Sequence, residues 1–253
     1  MKIYSDWRTV PLAARGASVA LGNFDGVHIG HAAVLRAAHA ARPDAPRAVL
    51  TFEPHPREFF RPQDAPFRLT LAAERAAALQ ALGVEILYQL PFDAEFSHLT
   101  AEAFVQEILF KGIGAVHLSC GADFAFGHRR GGDVAFLADR AENLGIGLSI
   151  VPAVADAQGP VSSSRIRRLL QDGYPERAAA LLGRPYSIRG PVLHGDARGR
   201  TIGFPTANIE LGRHLEPQRG VYAVTCRIGG KPVKGVANLG PVSYTHLTLP
   251  TKR

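Results

Sequence analysis

The chain has 253 residues, a formal charge of +7, 46% hydrophobic and 20% charged residues, and two cysteines, Cys120 and Cys226. That balance excludes a globally disordered chain, and two thiols do not support a disulfide framework or a cysteine metal centre. No run approaches the ~20 uncharged apolar residues of a membrane span and the first residues lack an apolar signal core, so a cytoplasmic location and no membrane partner are expected.

The predicted elements alternate up to about residue 183. Apolar strands are expected at Ser18 to Leu21, Ala48 to Phe52, Glu85 to Leu90, Ala115 to Ser119 and Leu148 to Val151. Helical patterns fall between them, at His31 to Ala41, Leu71 to Leu82, Thr100 to Phe110 and Val134 to Leu144. In the third, Phe104, Val105, Ile108 and Leu109 share one face. Near-continuously apolar strands joined by helices imply a parallel sheet covered on both sides, with ligands at the carboxyl ends of the strands. Helices at Ser164 to Gly173 and Pro175 to Leu182 close this α/β domain, with Gly173 suited to a C-cap and Pro175 to a first turn. Beyond Gly183 the pattern changes to short β-like runs, Ser187 to Leu193, Val221 to Ile228 and Pro232 to Asn238, so a second, all-β domain is expected there.

Between the first strand and helix lies Gly22-Asn-Phe-Asp-Gly-Val-His-Ile-Gly-His31. Gly22 and Gly26 permit a tight turn, Gly30 keeps the surface open, and His28 and His31 offer donors beside a helix N-terminus, where free N–H groups and the dipole favour an anion. A strand-turn-helix unit with two surface histidines is the equal alternative. In Val161-Ser-Ser-Ser-Arg-Ile-Arg167, three hydroxyls precede a helix whose first turns carry two guanidiniums, which reads as a phosphate cradle or as a cap followed by solvated Arg. Thr51-Phe-Glu-Pro-His-Pro56 is a stiff loop holding His55, and Gly121-Ala-Asp-Phe-Ala-Phe-Gly127 offers Asp123 with Phe124 and Phe126 for a flat ring; alone, each also reads as a turn with core aromatics. In the second domain, the Gly-rich stretch Gly195 to Asn208 is not a Walker A loop. On an extended strand Thr206 and Asn208 share a face, and both are hard oxygen donors suited to Mg²⁺. The basic residues, 24 Arg and five Lys, are spread along the chain rather than clustered, so no nucleic-acid partner is expected. Oligomeric state is left open.

These stretches, with Gly-Phe-Pro-Thr-Ala-Asn at 203–208, together resemble the bacterial bifunctional riboflavin kinase/FMN adenylyltransferase family, or FAD synthetase. The resemblance implies a Rossmann-like nucleotidyltransferase domain over residues 1–183 that joins FMN to ATP, giving FAD and pyrophosphate. It also implies a riboflavin kinase β-barrel from 184, with ATP, FMN and riboflavin as substrates and Mg²⁺ as metal. By resemblance, His28, His31 and Arg167 form the catalytic set, and Gly22, Phe24, Gly30, Ser163, Ser164 and Arg165 bind ATP phosphates. His55, Asp123, Phe124 and Phe126 line the flavin and nucleotide pocket, and Thr206 and Asn208 hold the metal. Two positions depart from the family pattern: Ser164 replaces a common Thr and keeps the hydroxyl, and Pro160 stands where many members carry Arg. The pattern is followed to Gly240. Residues 241–253 are set apart as a tail foreign to the family, which leaves an incomplete antiparallel barrel over 184–240. The family's catalytic Glu is not matched within it, so riboflavin phosphorylation is expected to be lost while FAD synthesis is kept. An adenylyltransferase for another phosphate-bearing acceptor, or a non-catalytic flavin or nucleotide binder, is the alternative.

Overall fold

The structure is a computed structural model that describes residues 1–193, 206–240 and the backbone of 244–248. Residues 195–205 of the Gly-rich stretch therefore lie outside the described residues. The chain divides into two compact units, one of residues 1–64 and 72–162, the other of 65–71 and 163–253.

The first unit is built on a six-stranded parallel sheet of β1 (Lys2–Tyr4), β2 (Ser18–Leu21), β3 (Arg47–Glu53), β4 (Ile86–Pro91), β5 (His117–Gly121) and β6 (Gly147–Val151). Its spatial order is β1-β4-β3-β2-β5-β6. Five of the strands fall where apolar runs predict them. The sixth, β1, is three residues on the sheet edge, too short and too exposed to announce itself by pattern. The connecting helices are α1 (Ile29–Ala41), α2 (Pro56–Phe60), α3 (Ala72–Ala81), α4 (Ala94–Ser97), α5 (Ala101–Ala103), which runs on as π-helical Phe104–Gly112, and α6 (Val134–Asn143). Alternate residues of each strand face opposite sides, and both sides are covered. Leu50, Tyr88 and Leu118 pack with Phe104, Ile108 and Leu137, whereas Val49 and Leu87 pack with Val34 and Leu79. A short hairpin of β7 (Ala155–Asp156) and β8 (Gly159–Pro160) follows β6.

The second unit contains α7 (Ser163–Gln171), α8 (Pro175–Leu182) and an antiparallel sheet of β9 (Val192–Leu193), β10 (Thr206–Glu210), β11 (Gly220–Ile228), β12 (Lys231–Leu239) and β13 (Tyr244–Thr248), in the order β11-β12-β13-β10-β9. Gly173 and Gly183, both with left-handed backbone, stop the two helices, and Pro175 opens α8. The sequence reading assigns α7 and α8 to the first domain. Here they group with the sheet, because the Gln218 amide donates to the Leu170 carbonyl at 2.9 Å and Tyr186 Oη donates to the Leu215 carbonyl at 3.3 Å. Residues 65–71 join them through the Leu215 amide, which donates to the Arg68 carbonyl at 2.8 Å. Tyr244–Thr248, within the stretch set apart on sequence, pair on both sides, with β12 and β10, as the central strand of this sheet. The run Tyr-Thr-His-Leu-Thr is aromatic and β-branched, a composition that suits a strand whatever family pattern it follows.

At the amino ends of β2, β5 and β6 a buried polar chain crosses the sheet of the first unit. Ser18 Oγ donates to the Ala38 carbonyl at 2.7 Å, so it receives, at 3.2 Å, the hydrogen on Nδ1 of buried His117. The other ring nitrogen, Nε2, then accepts from Ser149 Oγ at 3.1 Å. This network selects the neutral imidazole, and burial, with the Arg42 charge adding to it, holds the His117 pKa below its ordinary 6.5. Above that value His117 is neutral both folded and unfolded; below it the unfolded chain takes up a proton that the folded chain refuses, so stability falls with pH. Urea unfolding at about pH 7.5 and about pH 5.5 is expected to show a larger loss on acidification for the native chain than for His117→Gln. Equal losses would show that His117 is not a source of the acid sensitivity.

Candidate active site

In the first unit the chain runs β2 to β3 to β4 in one direction across the sheet and then returns to the other side of β2 for β5 and β6. The order therefore reverses between β2 and β5, and an open α/β sheet has its ligand crevice at the carboxyl ends of the strands beside such a point. The turn from Gly22 to His28 leaves β2 at that end, and Asp123 lies just past β5.

The turn is strained. Phe24 and Val27 have φ of 52° and 44°, left-handed values that a non-glycine residue adopts at a cost of about 1–3 kcal/mol each. Burial offsets this cost, since Phe24 and Val27 both lie in the core cluster with Val34, Val49 and Leu87. Thr51 Oγ1, itself fully buried on β3, donates to the Asn23 carbonyl at 3.0 Å and ties the turn to the next strand.

The strained turn delivers His28 as the N-cap of α1. His28 N–H donates to His31 Nδ1 at 3.2 Å, and His31 N–H donates to His28 Nδ1 at 3.3 Å, an imidazole version of the capping box. Both Nδ1 atoms being acceptors, each neutral ring carries its proton on Nε2. The rings stack with centroids 3.6 Å apart at 17°, and the Phe24 ring lies 4.9 Å from that of His31. At Gly30 a Cβ would come within 3.0 Å of His28 Cε1 and Nδ1, so the absence of a side chain is what lets the ring lie there. The structure thus gathers Gly22, Phe24, Gly30, His28 and His31 at the N-terminus of α1, with His28 itself buried and each Nδ1 engaged by a backbone amide.

His55 plays a parallel part after β3. It caps α2, a helix that the sequence reading leaves as loop, with His55 Nδ1 accepting from Arg57 N–H at 3.0 Å and Glu58 Oε2 accepting from His55 N–H at 3.2 Å. Beside it stands a cluster that the sequence reading misses. The rings of Phe52, Phe59, Phe60, Phe92 and Phe96 meet at centroid distances of 5.0–5.6 Å. They come from the ends of β3 and β4 and the helices just beyond, and Phe60 is 63% exposed. Their common signal was position: each falls next to the carboxyl end of a predicted strand. Asp123 is exposed with its carboxylate over Gly121, where a Cβ would come within 3.0 Å of it. Phe124 is half-buried and stacks on Phe126 at 5.4 Å. Phe126, only 8% exposed, packs on Phe104 and Phe136 and serves the core.

In the second unit, α7 carries Ser163, Ser164, Arg165 and Arg167 on its first turns. Arg167 Nε donates to the Phe67 carbonyl at 2.8 Å while its guanidinium lies 5.1 Å over the Phe67 ring. This orienting contact comes from 100 residues away and had no sequence signal. Thr206 and Asn208 share a face of β10, as strand periodicity predicts. Asn208 Oδ1 is buried without a hydrogen-bond partner among the described residues. A buried, unsatisfied carbonyl oxygen is costly unless something coordinates it, so the donor set fits a hard cation such as Mg²⁺. Cys120 and Cys226 are free thiols, and burial pushes Cys120 up to about 11, which keeps it unreactive.

Comparison with known proteins adds the following. A family model described as FAD synthetase matches residues 11–165, and one described as riboflavin kinase matches residues 182–249. The second match includes Tyr244–Thr248. The bifunctional riboflavin kinase/FMN adenylyltransferase of Escherichia coli strain K12 is 40% identical over 228 residues, which cover 89% of this chain and 73% of that protein. The Pseudomonas fluorescens protein of the same name is 42% identical with the same coverage. A crystal structure described as a macrolide-efflux protein from Streptococcus pneumoniae superposes with a TM-score of 0.86 at 34% identity, covering 99% of this chain and 84% of that one. Among the described residues no helix is long and apolar enough to cross a membrane.

The tie between β3 and the strained turn is open to a direct test. Thr51→Val keeps the shape and removes the donor to Asn23, and is expected to lower stability by about 1–3 kcal/mol, the cost of leaving a buried group unpaired. A urea midpoint unchanged from the native chain would show that the turn holds without it.

Proposed function

From the premise that this chain belongs to the bifunctional riboflavin kinase/FMN adenylyltransferase family, enzymes of FAD biosynthesis, we propose that its first unit transfers AMP from ATP to FMN. The observation that supports the reading is the reciprocal cap of His28 and His31 at the N-terminus of α1, which occupies both Nδ1 atoms and leaves Nε2 as the protonated nitrogen of each neutral ring.

In this reading an FMN phosphate oxygen attacks the α-phosphorus of ATP, the bond to the β-phosphate oxygen breaks, and pyrophosphate leaves. The nucleophile is already an anion, so no proton has to be removed and no covalent intermediate is required. The protein contributes alignment and stabilisation of charge that shifts onto the leaving group. His28 and His31 meet the ATP phosphates, with Gly22, Phe24 and Gly30 shaping their turn. Within the second unit, Arg167, held by Phe67, offers a planar guanidinium, and Ser163, Ser164 and Arg165 belong with it to a phosphate-binding motif by resemblance. The flavin ring goes to the β3 and β4 side, where His55 and the Phe52–Phe92 cluster offer flat apolar surface, and Asp123 with Phe124 lies on the β5 side of the crevice. The core position of Phe126 gives it a supporting part behind Phe124.

In the second unit, Thr206 and Asn208 would hold Mg²⁺, which when bound neutralises phosphate charge. A riboflavin hydroxyl, unlike an FMN phosphate, must lose a proton as it attacks, so this step needs a base that adenylyl transfer does not. Riboflavin phosphorylation is therefore the more demanding of the two reactions, and the polypeptide is expected to make FAD from FMN but to form FMN from riboflavin poorly. Riboflavin, MgATP and the purified polypeptide, with products separated by chromatography, test this; sustained FMN formation would overturn it.

For the adenylyl transfer, His28→Ala and His31→Ala are each expected to lower kcat/KM for FAD formation by roughly 10², the scale for removal of one preorganised donor. Arg167→Lys is expected to be damaging because an ammonium does not reproduce the guanidinium fork, and Arg165→Lys mild. Native kinetics in both histidine variants, or greater sensitivity at Arg165 than at Arg167, would overturn these assignments.

A further inference from the structure

The end of β3 is held from behind by a group that no step of the chemistry uses. Arg75, on α3, has a side chain with no exposure, and its Nη2 lies 3.1 Å from the Phe52 carbonyl, 2.8 Å from Glu53 Oε2 and 3.2 Å from Gln89 Oε1. Gln89 sits on β4 opposite Thr51, so the guanidinium spans the carboxyl ends of two neighbouring strands. A fully desolvated cation is retained only where it is paired and hydrogen-bonded, and here the partners are the last two residues of the strand that leads into Pro54 and His55. The Glu53 carbonyl in turn receives the Phe92 N–H at 3.2 Å, which brings the first residue after β4 onto the same anchor. Phe52 and Phe92 are the rings at the centre of the aromatic cluster, 5.6 Å apart, and Phe52 follows the residue that ties down the Asn23 turn.

We propose that Arg75 is a positioning residue for the flavin side of the crevice: by fixing the Phe52 carbonyl and the Glu53 carboxylate it sets where His55 and the Phe52 and Phe92 rings stand, and so governs acceptor binding rather than ATP binding. The proposal rests on the flavin lying on the β3 and β4 side. The contacts described above fall at the carboxyl ends of β3 and β4, on the residues that lead into His55 and Phe92, whereas Phe24 and Val27 of the His28 turn pack with Val34, Val49 and Leu87. Disturbance at Arg75 is therefore felt first by the acceptor. A lysine there keeps the charge but ends about one bond short of Nη2 and cannot reach the same oxygens.

The test compares the native chain with Arg75→Lys and Gln89→Met, measuring FMN binding by flavin fluorescence, the separate KM values for FMN and ATP in FAD formation, and thermal melting. Arg75→Lys is expected to raise the FMN Kd and KM by about fivefold or more while the ATP KM stays within about twofold, with kcat reduced less than kcat/KM for FMN. Gln89→Met, which removes one acceptor from an otherwise intact anchor, is expected to shift the FMN constants in the same direction by a smaller factor, and it decides the question if Arg75→Lys does not fold. Equal shifts for FMN and ATP, or unchanged FMN constants in a folded variant, would overturn the positioning role. Failure of the native chain itself to bind FMN would instead overturn the adenylyl-transfer reading on which the proposal stands.

Discussion

The site of the first unit depends on a turn that its backbone resists. Phe24 and Val27 are held in left-handed conformations, and Val27, being β-branched, is a residue for which that conformation is rare. What holds them is the burial of the same two side chains in a core with Val34, Val49 and Leu87. Full burial of a Phe and a Val is worth about 1.5–3 kcal/mol each, the same size as the strain, so neither term alone determines the turn. The result is that His28 leaves the turn in extended conformation as a cap, and only from there can its Nδ1 reach the His31 amide while the rings stack. Core packing is thus converted into the orientation of two polar donors.

A second layer of control runs through buried hydroxyls on the strands. Ser18, Thr51 and Ser119 are all fully buried, and each donates to a main-chain carbonyl of the segment leading from the turn into α1: Ala38 at 2.7 Å, Asn23 at 3.0 Å and Val34 at 3.0 Å. These three come from β2, β3 and β5, so the turn and the middle and later part of α1 are registered against the centre of the sheet. A purely apolar interface would tolerate sliding of the helix by small amounts; directional bonds to named carbonyls do not. The same logic explains why a sheet read from its apolar content contains serine and threonine at its centre.

Much of this was legible in advance. The parallel sheet followed from apolar strands of four to six residues separated by helical patterns, and Gly173 and Pro175 marked real helix ends. His28 and His31 were recognisable because their spacing of three places them on one helical turn. The aromatic cluster was not, since Phe52, Phe59, Phe60, Phe92 and Phe96 are gathered by strand order rather than by spacing, and β3 and β4 become neighbours only once the topology is known. Arg75 was invisible for a related reason: within Ala-Ala-Glu-Arg-Ala-Ala-Ala it looks like a solvated charge on a helix, and only the third dimension reveals oxygens from two strands around it. Phe126, expected from the sequence to line a pocket with Asp123 and Phe124, is packed against Phe104 and only 8% exposed, a burial that the local Phe-Ala-Phe spacing does not reveal.

The two ends of the parallel sheet separate two uses of buried polar groups. At the amino ends, His117 between Ser18 and Ser149 is closed on itself: each ring nitrogen has a partner, and its ionisation can only weaken the fold. At the carboxyl ends, His28, His31 and His55 use Nδ1 to satisfy the backbone of the helices they cap, which fixes the proton of the neutral ring on Nε2. The residue type is the same, and the difference lies in which nitrogen the backbone occupies. Because a helix start supplies N–H donors and never acceptors, a histidine placed there presents a donor to whatever lies beyond, and that is the polarity a phosphate requires. Strand direction in a parallel sheet puts every helix start at the carboxyl edge, so the fold itself selects the edge at which capping imidazoles keep their proton on Nε2.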